Sequence, residues 1–289
     1  MVTRKLTLCC LYPGILSASG DRGNLAAIVH RCGWRGIATE VRELRHGDPV
    51  RPDEADIILI GDGEDMHRRL IAQDLADVKG PGLREAAGQG AAVLAVGAGY
   101  QLLGRFYQPA RGAELPGAGV FDAWTIEPSL GPGAVPGPET VAGAEAVPGA
   151  GAVPGAGAVP DAAAAADRAT GDLLIRWGAQ LLVGFEGHTA RTYLGPTAEP
   201  LGQVVMGVGN SGDGREGALA RAAVGTYLRG PCLPWNPALA DFLIGAALGR
   251  RYGEAGLEPL PDDLERAAHD TAVRRIHVAD AAALADAQA

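Results

Sequence analysis

The most suggestive chemical context in this sequence is a turn of small residues between an apolar segment and a helical one. Residues 91–96 read Ala-Ala-Val-Leu-Ala-Val, and Gly97, Ala98 and Gly99 follow directly before Tyr-Gln-Leu-Leu. A buried strand that turns sharply into a helix is typical of a nucleophile elbow, where the N–H groups after the nucleophile stabilise an oxyanion. The tip position is Gly97, which has no side chain to attack a substrate. The pattern therefore predicts the scaffold of a covalent catalyst without its nucleophile.

Other residues with reactive or ligating side chains do not form a recognisable site. The four cysteines are Cys9, Cys10, Cys32 and Cys232. They have neither the paired spacing nor the neighbouring histidines of a zinc site, so we interpret them as free thiols that fill the core. Residues 210–214, Asn-Ser-Gly-Asp-Gly, lack the alternating oxygen ligands of a calcium loop and predict a hairpin turn. We expect no metal and no cofactor, and the sequence has no phosphate-binding loop for ATP.

The elements that must position the elbow alternate between strand and helix. Continuous apolar runs indicate strands buried on both faces, and the segments between them have helical periodicity. The predicted strands are residues 6–11, 57–60 and 91–96, and the predicted helices are residues 24–32 and 65–78. We expect a doubly wound α/β fold, with chemistry in the loops after Leu11, Ile60 and Val96.

The second half of the chain begins with a change of composition. Residues 129–167 are rich in Gly, Ala, Val and Pro, which predicts a disordered insertion within a single domain of residues 1–289. After it we expect antiparallel strands at 172–177, 181–185, 204–208 and 222–228, and a helix at 237–248. Residues 261–289 predict a C-terminal helical extension that begins with Pro-Asp-Asp.

Composition excludes two classes of partner. The chain has 289 residues, 47% of them hydrophobic, and a formal net charge of −9. This acidic balance argues against nucleic-acid binding, which depends on clustered Lys and Arg. No run approaches the ~18 apolar residues of a membrane-spanning helix, so we expect no direct membrane insertion and a cytoplasmic protein.

Several motifs, taken together and in order, resemble one protein family. They are Tyr12-Pro13 and the segments 20–24, 61–65, 99–104, 184–192, 209–217 and 225–231. The chain resembles the glutaminase subunit of the bacterial lipid II isoglutaminyl synthase, a class I glutamine amidotransferase, over about residues 6–250. The nearest competing resemblance is to the amidotransferase domain of cobyric acid synthase. The resemblance implies a flavodoxin-like, mostly parallel sheet with helices on both faces and additional antiparallel strands.

The resemblance also assigns the chemistry to positions at which this chain departs from the family. The family's nucleophilic cysteine corresponds to Gly97, and its histidine corresponds to Arg229. A glycine cannot form the thioester, and an arginine cannot accept a proton at physiological pH. Arg168 matches the arginine that contacts the glutamine substrate in the family, and a guanidinium suits a carboxylate.

The oxyanion-loop positions implied by the resemblance are Gly63 and Ala98. The family usually has glycine where Asp62 and Ala98 stand. A carboxylate at position 62 is expected to oppose a developing oxyanion. Asp21 and Arg22 are interpreted as an internal ion pair that fixes the first loop, with a ligand contact as the alternative.

These features lead to one main functional hypothesis and three alternatives. In the family, the glutaminase supplies ammonia to a Mur-ligase-like ATP-dependent subunit, which amidates D-glutamate in the peptidoglycan stem. We expect this chain to be inactive as a glutaminase and to form a heterodimer with such a partner. The alternatives are a stand-alone amino-acid-binding or regulatory pseudoenzyme with glutamine or another amino acid as its ligand, an active glutaminase that uses Cys232 and His188, and a cobyric acid synthase-like amidotransferase.

Overall fold

The computed structural model describes residues 4–16, 21–128, 168–253 and 256–286, with side chains up to residue 276. The insertion predicted at residues 129–167 lies outside the described residues, and so does the end of the predicted C-terminal extension.

Within these residues the chain forms fourteen strands and seven helices. The strands are β1 (Lys5–Leu11), β2 (Ala38–Leu44), β3 (Ile57–Ile60), β4 (Ala92–Val96), β5 (Phe106–Gln108), β6 (Leu115–Pro116), β7 (Ala123–Ile126), β8 (Ala169–Trp177), β9 (Gln180–His188), β10 (Arg191–Leu194), β11 (Gly202–Met206), β12 (Arg215–Glu216), β13 (Ala218–Ala220) and β14 (Ala223–Thr226). The helices are α1 (Asp21–Gly33), α2 (Asp65–Asp74), α3 (Gly80–Gly88), α4 (Ala98–Leu103), α5 (Cys232–Trp235), α6 (Pro237–Tyr252) and α7 (Asp263–Asp286).

A six-stranded sheet forms the centre of the fold, in the order β13-β14-β4-β3-β1-β2. Five of its strands are parallel, and only β13 runs antiparallel, at one edge. Every residue of β3 and of β4 is buried, which is the pattern of strands covered on both faces. The α/β architecture predicted from the apolar runs is therefore confirmed.

One strand was predicted in the wrong arrangement. Residues 222–228 were expected in the antiparallel group, but β14 pairs in parallel with β4 and is antiparallel only to β13. All four residues of β14 are buried, as in the other central strands. Its short run of small residues did not distinguish a central strand from a peripheral one.

The predicted helix at residues 65–78 is also interrupted. Helix α2 ends at Asp74, a π-helical turn covers Leu75–Lys79, and α3 begins at Gly80 with Pro81 in its first turn. Proline is tolerated there because the first N–H groups of a helix have no intrahelical acceptor. The π turn holds the buried Lys79, whose ammonium donates to Asp74 Oδ2 at 2.7 Å.

Two smaller four-stranded sheets, in the orders β10-β7-β5-β6 and β12-β11-β8-β9, lie beside the central one. Strands β8 and β9 form a long antiparallel hairpin in which Ala169 lies opposite His188. This register brings the chain that enters β8, including Arg168, next to the end of β9. The end of β9 also pairs with the segment after β14 through a bridge between Phe185 and Arg229.

The last helix packs on the hairpin instead of the central sheet. Ala272 and Ile276 of α7 form a small apolar cluster with Leu174 and Val183. Arg275 adds an ion pair to Asp172 at 2.6 Å. The helix predicted from Pro-Asp-Asp is present and begins at Asp263.

Candidate functional site

The predicted elbow is a strand–turn–helix in which Gly97 joins β4 to α4. Gly97 has φ of 53° and ψ of −111°, a backbone conformation that is strained for any residue with a side chain. Its N–H donates to Thr226 O at 3.0 Å, and the N–H of Gly99 donates to Gly61 O at 3.1 Å. The turn is therefore held between the ends of β3 and β14.

The side chain of Asp62 lies where a side chain on Gly97 would stand. Asp62 Oδ1 accepts the N–H of Ala98 at 2.8 Å. A Cβ atom placed on Gly97 would overlap the Asp62 carboxylate. The Asp62 carboxylate therefore takes up the N–H that follows the elbow tip.

Asp62 is itself held from the first loop. Its backbone N–H donates to Asp21 Oδ2 at 3.2 Å. Any Cβ on the neighbouring Gly61 would overlap the Asp21 carboxylate. Asp21 thus has a structural role. Its carboxylate fixes the loop after β3 by accepting the backbone N–H of Asp62.

Arg229 stands on the other side of the same carboxylate. Its Nε lies 3.1 Å from Asp62 Oδ2, close enough for an ion pair, although the N–H is not aligned for a hydrogen bond. The backbone N–H of Arg229 donates to Phe185 O at 2.7 Å, which fixes the residue against β9. The side chain of Asp62 is 3% exposed and that of Arg229 is 16% exposed, so the pair is largely removed from water. Breaking a pair of this kind leaves an uncompensated buried charge.

The structure brings Arg168 to the same place. Its Nη2 donates to Gly187 O at 3.0 Å. The guanidinium groups of Arg168 and Arg229 both come within 4 Å of the position that a Cβ on Gly187 would occupy. Two cations therefore face one short stretch of β9, and one of them is paired with Asp62.

Gly63, the other predicted oxyanion-loop position, is packed in the loop between β3 and α2. Its carbonyl accepts Arg68 Nη1 at 2.8 Å. A Cβ at this position would come within 2.6 Å of Leu16 Cδ2. The loop is therefore closely packed, and a side chain at position 63 would have to displace the end of the Leu16 side chain.

Cys232 and His188, the alternative catalytic residues, both lie in packed surroundings. Cys232 is buried, its Sγ lies 3.5 Å from Asn24 Oδ1, and burial raises its pKa to about 12. A thiol with this pKa is almost entirely protonated at neutral pH, and only the thiolate is a competent nucleophile. The His188 ring stacks on Tyr227 with centroids 3.8 Å apart, and its Nδ1 lies 2.8 Å from Ala190 O. Both residues are part of the packing.

Sequence reasoning did not identify two buried carboxylates beneath this site. Glu186 Oε1 and Oε2 accept the N–H groups of Val208 and Gly209 at 2.6 and 3.0 Å. Glu216 Oε1 accepts the N–H of Tyr227 at 2.6 Å, and burial raises the pKa of Glu216 to about 8. Glu216 lies in one of the quoted motifs, but nothing in the sequence distinguishes a carboxylate that supports a turn from one that binds a ligand.

The turn at residues 210–214 is the predicted hairpin connection, between β11 and β12. Asn210 closes it by exchanging two hydrogen bonds of 2.9 Å with the backbone of Gly217. The described part of the chain contains no group of three or more His, Cys, Asp and Glu side chains arranged to hold a metal ion.

A cavity of about 720 Å³ lies at the carboxyl ends of β1, β2 and β3. Leu11, Tyr12, Val41 and Gly61 are among the residues that line it. It is therefore next to the loop that carries Asp62 but does not include the elbow tip. The loops after Leu11 and Ile60, which were predicted to hold chemistry, border this cavity.

Comparison with known proteins places this arrangement among the glutamine amidotransferases. The family model for CobB/CobQ-like glutamine amidotransferase domains matches residues 17–128. The solved structure of PurLQS from Thermotoga maritima superposes with a TM-score of 0.49 and 13% identity, covering 85% of this chain and 98% of that one.

Two curated relatives are more specific. The lipid II isoglutaminyl synthase (glutamine-hydrolyzing) subunit GatD of Staphylococcus aureus (strain N315) is 31% identical over 249 residues, 86% of either chain. The subunit of the same name from Streptococcus pneumoniae (strain ATCC BAA-255 / R6) is 27% identical over 263 residues, 90% of this chain and 87% of that one. The chain belongs to the family of lipid II isoglutaminyl synthase GatD subunits. Among the described residues, no helix has the length and apolar character needed to cross a membrane.

Proposed function

We propose that this chain is the amidotransferase-like subunit of a lipid II isoglutaminyl synthase and that it does not hydrolyse glutamine. The observation that carries the proposal is the elbow tip, where Gly97 offers no nucleophile and Asp62 fills the space beside it. Arg229, at the position that the resemblance assigns to the histidine, is paired with Asp62 and cannot accept a proton. The buried Cys232 and the stacked His188 weigh against rescue by other residues.

The residue roles follow from the same resemblance. Gly97 takes the nucleophile position and Arg229 the histidine position. Gly63 and Ala98 take the oxyanion-loop positions, and Arg168 takes the position that contacts the glutamine carboxylate. The hydrogen bond from Ala98 N–H to Asp62 supports the assignment of position 98 to an oxyanion loop, because that donor already holds an anion.

The partner in this proposal is a Mur-ligase-like ATP-dependent subunit in a cytoplasmic heterodimer. Both relatives are named as subunits, which supports an assembly with another chain. We also propose a single glutamine amidotransferase-like domain, with residues 129–167 as an insertion and residues 261–289 as a helical extension. One apolar core that runs from Leu6 to Leu248 supports the single domain.

The first prediction concerns ammonia release from L-glutamine by the purified chain, alone and with its ligase-like subunit. We expect no release above background, because loss of a nucleophile lowers turnover by a factor on the order of 10⁶. The complex should amidate lipid II with ATP and ammonium chloride but not with ATP and L-glutamine. Release of ammonia from L-glutamine by the native chain contradicts the proposal, and a Cys232→Ala variant then shows whether that thiol is responsible.

A restored variant provides the matched control for this assay. It carries Gly97→Cys, Arg229→His and Asp62→Gly together, which returns the nucleophile, the base and the residue usual in the family at position 62. Ammonia release by this variant shows that the assay and the scaffold are competent, so that silence of the native chain reflects its side chains.

A further inference from the structure

The three departures at the elbow occupy one another's space. The Asp62 carboxylate lies where a side chain on Gly97 would begin, and it accepts the N–H of Ala98 at 2.8 Å. Arg229 Nε lies 3.1 Å from the other oxygen of the same carboxylate. Asp62 therefore fits only beside a residue without a side chain at position 97, and its charge is balanced by Arg229.

We propose that the Asp62 carboxylate is an internal occupant of the elbow, which excludes both a side chain at position 97 and a ligand carboxylate at Arg229. The inference rests on the proposed function and deepens it by naming the residue that closes the site. Asp62 resembles an acidic ligand in its contacts, since a backbone N–H and a guanidinium hold its two oxygens.

The steric part of the proposal concerns positions 62 and 97. Gly97→Ala in the native chain places a Cβ against the carboxylate, whereas an Asp62→Ala background lacks the three atoms that this Cβ would approach most closely. The backbone strain of φ +53° is the same in both backgrounds. The difference between the two effects of Gly97→Ala therefore isolates the overlap with Asp62.

The electrostatic part concerns positions 62 and 229. Removing the Asp62 carboxylate leaves Arg229 as a largely buried cation without that partner. Asp62→Asn retains the volume beside Gly97 but removes the charge. It should therefore keep the coupling to position 97 and lose the coupling to position 229.

The occupant also determines which ligand the site accepts. With Asp62 in place, Arg229 is neutralised, and of the two guanidinium groups described beside Gly187 that of Arg168 remains for an anion. With Asp62→Ala, two guanidinium groups that are not paired with Asp62 face Gly187, and both are available to a ligand with carboxylates. L-Glutamate, which has two carboxylates, is the probe for this arrangement. L-Glutamine, whose side chain ends in an uncharged amide, is its control.

The test is a double-mutant cycle on melting temperature with the full chain. We expect Gly97→Ala to lower Tm by at least ~4 °C more in the native background than in Asp62→Ala. Gly90→Ala is the matched control, because Gly90 has φ of +88° with nothing within 4 Å of its Cβ position. Its effect should be equal in both backgrounds. Equal effects of Gly97→Ala in both backgrounds overturn the proposal.

Two further readouts keep the proposal testable if Gly97→Ala does not fold. Arg229→Gln should lower Tm in the native chain and have little effect in Asp62→Asn; additive effects contradict an ion pair that fills the site. By calorimetry at millimolar ligand, Asp62→Ala should bind L-glutamate at least ~10-fold tighter than the native chain and tighter than L-glutamine. Equal binding by both proteins, or none by either, shows that Asp62 does not close the site.

These outcomes are separate from those of the ammonia assay. If the effects of the substitutions on Tm are additive and the native chain releases no ammonia, only the proposal that Asp62 occupies the elbow is overturned. If the native chain releases ammonia and the effects of the substitutions on Tm are coupled, only the proposed loss of glutaminase activity is overturned.

Discussion

Two buried carboxyl groups near the elbow are held by short local contacts of different kinds. Asp62 has Arg229 and the N–H of Ala98. Glu216 is fully buried, and among the described residues its contacts are with hydrogen-bond donors, the N–H of Tyr227 and the Thr226 hydroxyl at 3.1 Å. A buried carboxylate without a cation retains its proton to higher pH than one in water.

Glu216 should therefore make stability depend on pH. Its pKa is about 8 in the folded chain against an ordinary value of 4.5, so between these values the folded state keeps a proton that the unfolded state releases. The free energy of unfolding should fall as pH rises through this window, by at most ~1.4 kcal/mol per pH unit, and level off above it. Glu216→Gln should remove this part of the slope in urea titrations from pH 5 to pH 8.5. An unchanged slope in the variant assigns the titration to another group.

Elements were predictable from the sequence wherever burial on both faces left a continuous apolar run, as in β3 and β4. Strand β2 was missed because it is an edge strand with no buried residue and with three charged side chains, at Glu40, Arg42 and Glu43. The identity of the elbow was predictable from Gly97 and its small neighbours. The contact of Asp62 with Ala98 and Arg229 was not, because it depends on how three loops from distant parts of the sequence meet.

The start of helix α7 is attached to helix α1 by charged side chains. Arg31 is buried and donates to both carboxylate oxygens of Asp262 at 2.7 and 2.8 Å, and also to Asp241. The hydrogen bond from Arg31 lowers the pKa of Asp262. Asp262 immediately precedes α7, so this pair ties the start of the helix to α1.

We expect Asp262→Ala to loosen α7 without unfolding the central sheet. Loss of the paired carboxylate should cost ~1–3 kcal/mol locally, the usual range for hydrogen bonds to charged groups. Amide hydrogen exchange of residues 263–276 should accelerate, while exchange in β3 and β4 stays slow. Asp263→Ala is the control, since that side chain is 89% exposed. Equal acceleration in both variants shows that the Arg31 pair does not hold the helix.

At the scale of the whole molecule, Tyr227 connects the three sheets. It follows β14 of the central sheet, its ring stacks on His188 at the end of β9, and its hydroxyl lies 2.6 Å from Thr192 Oγ1 in β10. Gln101 of α4 donates to the same hydroxyl at 3.1 Å. One side chain therefore contacts an element of every sheet.

Tyr227→Phe should lower stability while leaving unfolding cooperative. The ring keeps its stacking, and the lost hydroxyl leaves the buried Thr192 and Gln101 with one partner fewer, at a cost of ~1–3 kcal/mol. Urea denaturation followed by fluorescence and by circular dichroism should show one coincident transition with a lower midpoint and an unchanged m value. Separate transitions for the two probes indicate that the sheets unfold independently.

The contact between Asp62, Gly97 and Arg229 has a consequence for the evolution of the chain. A mutation that restores a cysteine at position 97 meets the carboxylate of Asp62, and one that removes the carboxylate first leaves a largely buried guanidinium without that partner. A change at Arg229 first removes the cation from Asp62. Under the proposed loss of glutaminase activity, each route of single substitutions back to a catalytic elbow therefore passes through a less stable protein, so the present arrangement disfavours the return of that activity.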